Sequence, residues 1–476
     1  IFTGQSSNLD TVVVKFIRAV CSCVLHSLFF CCFAAAKNKI VIHDLLATTP
    51  QDFMHLIQDN SRLDQPAVTY DADRVQQSFL TYYFSPWDHP LAFFSPEALC
   101  KQEENKLEKY YKHPGWGPNK CKHTGDFIKS IDDNMALATF PNQNQQQPAI
   151  VLRTTHLRCV PSMDVSCDLP EKFGIGYPFD KWQKSLLIPN EPLCVLHTSQ
   201  DRLWNYVVTG NHINGWVQRA DIAYVTRNFM TRWKTGKYVT PLCDKLPIQG
   251  NTLAPLARVG QLIPLARTQN DAEHYRIFTV ASDPRGMATI QVNTVSKANM
   301  AIMPLLATPN NMIRLAQSLL GTPYAWGGIE GYRDCSSTLK DLFFPFGIWL
   351  PRDSGPQSKS GTFVSLRGLR NDLKAKKIIE QGIPFFSLVW QPGHIMLYAG
   401  TKGEKIYVYN NIWGLRTQSL DGEVGRAILG SLVIMPLDFG QECGDIKKTF
   451  LDKAEGLILL QARLASPDAE LTLFKR

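Results

Sequence analysis

Gly321-Thr322-Pro323-Tyr324-Ala325-Trp326-Gly327-Gly328, followed after a short spacer by Arg333-Asp334-Cys335-Ser336-Ser337-Thr338-Leu339-Lys340-Asp341-Leu342-Phe343, is the stretch on which the fold of this chain turns. A glycine-rich loop runs into an aspartate that can cap a helix, and the spacing predicts that helix over Ser336 to Phe344. Cys335 then sits at the helix amino terminus, where the dipole is expected to favour thiolate and lower the pKa. On helix logic alone a cysteine is more often a small core residue. The histidine content changes the balance, because His394 is the only histidine after His274. It heads an alternating apolar run, Gln391-Pro392-Gly393-His394-Ile395-Met396-Leu397-Tyr398. A neutral imidazole there can take the proton of Cys335 if the sheet faces the helix start. A third polar group has to orient the ring, and Ile406-Tyr407-Val408-Tyr409-Asn410-Asn411-Ile412-Trp413-Gly414 offers two asparagines. The plain alternative is a structural histidine at a strand start.

Working outward, Met312 to Leu320 is an amphipathic helix, and Phe385 to Trp390, His394 to Gly400 and Ile406 to Tyr409 are strand-like. Helices packed on an antiparallel sheet make this region α+β. Lys447 to Ala465 reads as a terminal helix. Upstream, from about residue 150, short apolar runs such as Leu193 to His197, Trp204 to Thr209 and Gly215-Trp216-Val217 are separated by turn residues, the texture of a small barrel. A second all-β patch spans 229 to 303. Residues 37 to 165 are mixed, with helices expected at Val68 to Leu80, Glu97 to Tyr111 and Asp126 to Leu137, and a polar loop at Asn142 to Gln147.

The chain has 476 residues, 44% apolar and 19% charged, so it is globular and long enough for several domains. Its net charge of +8 is spread without a basic block, which argues against a nucleic-acid partner. Lys15 and Arg18, the apolar run Ala19 to Phe33 and the exit Ala34-Ala35-Ala36 have the layout of a secretory signal. The run is short for a bilayer span, which takes ~20 apolar residues, so no stable membrane insertion is expected after cleavage. Of 12 cysteines, those beyond the signal are Cys100, Cys121, Cys159, Cys167, Cys194, Cys243, Cys335 and Cys443. An oxidising exterior permits disulfides among them. None has CxxC spacing and there is no HExxH, so neither a metal nor an organic cofactor is expected.

Gly321 to Gly328, Asp334-Cys335-Ser336 and Gly393-His394 together resemble the NlpC-type cell-wall cysteine peptidases, which have a papain-like fold. Phe84-Ser85-Pro86-Trp87 and Leu157-Arg158-Cys159-Val160-Pro161 resemble the amino-terminal stabilising domain found with one branch of these enzymes. Tyr177-Pro178-Phe179-Asp180-Lys181-Trp182-Gln183-Lys184-Ser185 and Gly215-Trp216-Val217 resemble its first SH3-like domain. The resemblance implies a multidomain α+β chain: a signal region at 1–36, a stabilising domain at 37–165, SH3-like barrels at 166–228 and 229–303, the papain-like domain at 304–440 and a helical tail at 441–476. It implies a monomer, secreted or periplasmic, that hydrolyses murein stem peptides between γ-D-glutamate and a diamino acid. Cys335 would be the nucleophile, with its N–H on the oxyanion, and His394 the base and then the acid. Tyr324 would line the site, and Asp334 and Ser336 would hold the free α-amine of the stem's L-Ala. Asp180 or Trp204 would wall the cleft, while Trp182, Trp204 and Trp216 are each expected foremost as core aromatics. There is one departure: the branch often carries His-Asn-Ile-Trp-Gly, so Asn410 stands in place of the usual third histidine. Two other readings remain, a catalytically weakened wall-binding protein and a papain-like amidase or acyltransferase.

Overall fold

The structure is a computed structural model that describes residues 42–57, 63–66, 69–140, 146–169, 171–266 and 271–461. The expected signal region, 1–36, lies outside the described residues. Among those described, no helix is long and apolar enough to cross a membrane.

Period-two alternation builds the carboxy-terminal sheet. Leu388, Ile395, Leu397, Tyr409, Leu432 and Ile434 enter one core, while Val389, Met396, Tyr398, Val408, Val433 and Met435 enter another on the opposite face. The six antiparallel strands run in the order Thr362–Ser365, Gly456–Leu459, Ser387–Gln391, His394–Lys402, Lys405–Gln418 and Val424–Pro436. Helices Pro309–Leu319 and Cys335–Phe343 fill the first core through Met312, Leu315, Leu319, Leu339, Leu342 and Phe343. Ile378 of the Asn371–Gln381 helix, with Leu437, Phe439, Phe450 and Ala454, closes the second.

The helical tail is a correction over its described residues; 462–476 lie outside them. Residues 450–453 form only the four-residue helix Phe450–Lys453, and Gly456–Leu459 is a strand between Thr362–Ser365 and Ser387–Gln391. Leu457 and Ile458 are fully buried, on opposite faces. A short apolar run buried on both faces has no period of its own, which is why it reads equally as helix.

The barrel sheet also takes in strands from before residue 166. Gln147–Val151 and Thr155–Arg158, expected in the stabilising domain, are strands of the barrel sheet. That sheet runs Gln183–Leu187, Thr155–Arg158, Asn214–Gln218, Trp204–Thr209, Pro192–Thr198, Gln147–Val151 and Ile222–Tyr224. Trp182, Trp204 and Trp216 lie in the core between this sheet and the amino-terminal helices Pro96–Lys112 and Gly125–Met135. Phe84 and Trp87 pack beneath the Gln147–Val151 strand, and the Trp87 indole N–H donates to the Ala149 carbonyl at 2.8 Å. Between 238 and 303, three small sheets surround a core that includes Val239, Ile263, Leu265, Ile277 and Val295. All eight cysteines beyond the expected signal are free of disulfide bonds.

Candidate active site

Asp334 starts the Cys335–Phe343 helix through a reciprocal capping box. Its carboxylate accepts the Ser337 backbone N–H at 2.9 Å, and the Ser337 hydroxyl oxygen accepts the Asp334 N–H at 2.9 Å. Cys335 is therefore the first residue of the helix, 9% exposed. The backbone N–H of Ile395 points at its sulfur, setting the thiol beside the start of the His394–Lys402 strand.

The expectation of a lowered thiol pKa is overturned. Burial pushes Cys335 up to about 12, and the adjacent Asp334 carboxylate adds to the push. The Ile395 and Ser336 backbone groups pull the other way and are outweighed. Burial likewise pushes His394 down to about 4, against its hydrogen bond to Asn410 and with the Lys453 charge. The resting pair is thus a neutral thiol and a neutral imidazole.

His394 and Asn410 meet across neighbouring strands, Nε2 to Oδ1 at 2.8 Å, with Asn410 fully buried. The Asn410 amide nitrogen is directed at the Met435 sulfur, 3.4 Å away. An amide oxygen only accepts, so Nε2 carries the ring proton and Nδ1 the lone pair. Phe450 stacks on the imidazole with ring centroids 5.3 Å apart. Asn411 faces the other way, its amide donating to the Arg333 carbonyl and the Thr338 hydroxyl, both at 2.8 Å. It ties the strand to the helix and does not reach the imidazole.

Asp334 corrects a second expectation. Its carboxylate is already engaged by a buried arginine, Arg352, at 2.6 and 3.1 Å. It also accepts from Gly327 N–H, Ser337 N–H and the Ser336 and Ser337 hydroxyls. No lone pair is left open for a substrate ammonium. Burial acts to raise this carboxyl, and the Arg352 guanidinium overrides it, holding the group below the usual range. Ser336 accepts from Arg352 at 3.0 Å, and its carbonyl takes the Gln357 amide at 2.9 Å. Tyr324 is half-buried; burial and then the nearby Cys335 and Asp334 charges raise its phenol, which marks its place beside the thiol. Arg352 and Gln357 escaped the sequence reading, because Leu350-Pro351-Arg352-Asp353-Ser354 reads only as a turn and a helix cap.

The barrel forms one wall of the site. Gly327 and Gly328, at φ 60° and 84°, lie so close to it that a Cβ on either would come within 2.7 Å of Gln183 or Leu186. The Gln183 amide donates to the Gly327 carbonyl at 2.9 Å, and the Arg352 Nε donates to the Ser185 hydroxyl at 2.8 Å. Of the two expected wall residues, Asp180 lies at this seam but through its backbone, whose carbonyl accepts the Trp326 indole N–H at 2.9 Å. Its carboxylate is buried on Arg158. Trp204 is in the barrel core and away from the seam. Phe179 is the aromatic at the seam, edge-on to Trp326 and Trp413 at 5.8 and 4.8 Å. Trp413 reaches it from a β-bulge between Ile412 and Gly414 that re-aims its side chain.

Comparison with known proteins bears on the fold and the family. The solved structure described as a novel NlpC/P60 endopeptidase from Photobacterium damselae subsp. piscicida superposes with a TM-score of 0.77. It is 27% identical, and the match covers 87% of this chain and 97% of that one. The gamma-D-glutamyl-L-lysine dipeptidyl-peptidase of Bacillus subtilis is 36% identical over 97 residues, 20% of this chain and 30% of that protein. The Bacillus cereus protein of the same name is 39% identical over 62 residues, 13% and 19% of the two chains. The chain thus spans less than a third of the length of these curated relatives. Residues 20–140 match the amino-terminal NLPC_P60 stabilising domain, 168–218 an SH3 domain of the SH3b1 type, and 321–424 the NlpC/P60 family. Cys335, His394 and Asn410 accordingly lie in an NlpC/P60 catalytic domain, carried behind that stabilising domain and one SH3 domain.

Proposed function

We propose that this protein is a secreted or periplasmic cysteine peptidase that cleaves murein stem peptides between γ-D-glutamate and the diamino acid. The observation that carries the reading is the 2.8 Å bond from His394 to Asn410, which leaves Nδ1 unprotonated for the thiol. With both groups neutral at rest, the Cys335 proton passes to Nδ1 as the sulfur attacks the γ-carbonyl carbon. The Cys335 N–H, in the first helical turn and without an intrahelical acceptor, holds the oxyanion, with Tyr324 alongside. Collapse breaks the C–N bond, and His394 returns the proton to the departing amine, leaving a γ-glutamyl thioester. Water then adds with His394 as base, releasing the carboxylic acid and restoring the thiol.

Asn410 holds the ring without supplying charge, the part the branch's usual histidine would play. A preference for a free L-Ala amino terminus is part of the proposal, but it rests on steric closure by the barrel wall. Asp334 and Ser336, locked to Arg352, shape that end of the site without pairing to the amine. The sheets between 238 and 303 are read as the second SH3-like unit, acting as a spacer.

The test is incubation with L-Ala-γ-D-Glu-diaminopimelate, read by mass spectrometry. Wild type releases L-Ala-γ-D-Glu and Cys335→Ala, correctly folded, releases none; cleavage by the variant overturns the reading. Attaching an N-acetylmuramyl group to the L-Ala amine should abolish turnover, and equal rates would remove the wall from the argument.

A further inference from the structure

Four cations gather near the Phe450 ring that stacks on His394. Lys453 lies over the Phe450 ring at 5.6 Å, and that ring stacks on His394. Lys448 and Lys453 both line a cavity of about 660 Å³ whose rim also includes Gln391 and Pro392, beside the His394 turn. Arg416 and Arg426 stand directly opposite each other across the Lys405–Gln418 and Val424–Pro436 strands. Like charges facing across a strand pair are destabilising, so such a pairing calls for an anion. The Arg426 guanidinium is pressed against the barrel loop, where a Cβ on Gly174 would come within 2.8 Å of it.

Among the described residues, none of these four has a carboxylate within ion-pair distance. The acids on the same rim are engaged elsewhere. Glu455 pairs with Arg367 at 2.8 Å, and Asp452 accepts from Asn371 and from the Thr449 backbone and hydroxyl. The cations also feel one another: burial is the main cause of a lowered Lys453, and Arg426, Arg416 and Lys448 all add to it against Asp452.

We propose that Lys453, Lys448, Arg416 and Arg426 form an anion subsite on the leaving side of the substrate, taking the side-chain carboxylate that diaminopimelate carries and lysine lacks. The inference rests on the proposed cleavage, because His394 hands its proton to the departing amine and so has the diamino acid at its side. On that reading the acyl portion lies toward Tyr324, beside the thiol, leaving this cluster to meet whatever charge the leaving group bears. Discrimination then enters through binding and is screened by salt.

The experiment compares L-Ala-γ-D-Glu-meso-diaminopimelate, the same peptide with its side-chain carboxylate amidated, and L-Ala-γ-D-Glu-L-lysine. Wild type should favour the free carboxylate over both others by about tenfold in kcat/KM, mainly in KM, at low salt. The ratio should fall toward one in Lys453→Gln and, independently, in Arg416→Gln/Arg426→Gln, which lies farther from the imidazole. Equal wild-type rates on the three peptides, or variants that lose all three in proportion, overturn the subsite. Calorimetric binding of the same peptides to Cys335→Ala keeps the two readings apart. If wild type cleaves none of them, the proposed reaction fails. The subsite then stands on tighter binding of the free carboxylate that Lys453→Gln abolishes, and falls if the three peptides bind alike.

Discussion

Replacing Arg352 by Met should open the start of the catalytic helix. The side chain is 3% exposed and its partner Asp334 10%. Removing the guanidinium leaves a buried carboxylate without its counter-charge, which typically costs about 3–5 kcal/mol. The Ser337 and Gly327 donors stay with Asp334, which favours the lower end, while the lost bonds to Ser185 and Ser336 add about 1 kcal/mol each. About 5 kcal/mol at pH 7 follows. The pH dependence has a definite sign. In wild type the Asp334 pKa is depressed below 3.8, so its contribution is present above the unfolded pKa and is lost as pH falls through the folded one. In Arg352→Met the main opposition to burial is gone and only the Ser337 bonds still hold the carboxyl down, so the folded pKa rises, and the deficit is smallest in acid and grows toward neutrality. Hydrogen exchange of the Cys335–Phe343 amides at pH 7 reads this local opening without assuming two-state unfolding of a multidomain chain. Adding Asp334→Asn to Arg352→Met should recover a large part of the loss, since no buried charge remains. Protection within 1 kcal/mol of wild type in the single variant, or no recovery in the double, would falsify the assignment of this pair.

The acid limb of kcat/KM should fall near pH 4, well below an ordinary histidine, because burial holds the base His394 at about 4 and it must be neutral to act. A limb near 6.5 in the pH–rate profile would contradict the buried setting. Asn410→Ala should lower kcat by about tenfold or more with little change in KM, while Asn410→His keeps activity. Asn411→Ala should instead weaken folding, because its amide joins the strand to the Arg333 carbonyl and Thr338; a kcat loss there with Asn410→Ala unaffected would reassign the third residue. Burial raises Glu191, at the barrel seam, to about 7, so the folded state holds its proton more tightly than the unfolded chain and loses stability as pH climbs from about 4.3 toward 7. Glu191→Gln should therefore stabilise the protein at pH 8 by about 2–3 kcal/mol and hardly at all at pH 4, read by denaturant melts.

Much of this architecture was readable because it obeys simple periods. The Cys335 helix announces its start through Asp334, and the three central strands alternate cleanly enough that their heads are placed to within two residues. What escaped depends on three-dimensional neighbours. Leu457 and Ile458 are apolar on both faces, so no period separates strand from helix. Arg352 carries the amino end of the site from inside a turn, where no spacing rule points to it. The thiol pKa took the opposite direction because helix-dipole reasoning lacks the burial and the Asp334 charge that dominate at Cys335. The sheet partners of Gln147–Val151 are not legible in the sequence, because a strand joins a sheet through partners remote in the chain, here Pro192–Thr198 and Ile222–Tyr224.

The slot occupied by Gly456–Leu459 bears on how the protein is born. Synthesis delivers the Ser387–Gln391 strand early and its neighbour in the sheet only after residue 459, so the nascent chain exposes an unpaired edge beside the catalytic meander until translation of the domain is nearly done. His394 likewise waits for Phe450, the ring that covers it. Competence therefore waits until the Gly456–Leu459 strand is inserted. A ribosome-stalled or truncated product that stops before residue 450 holds Cys335, His394 and Asn410 yet lacks the enclosure in which they work.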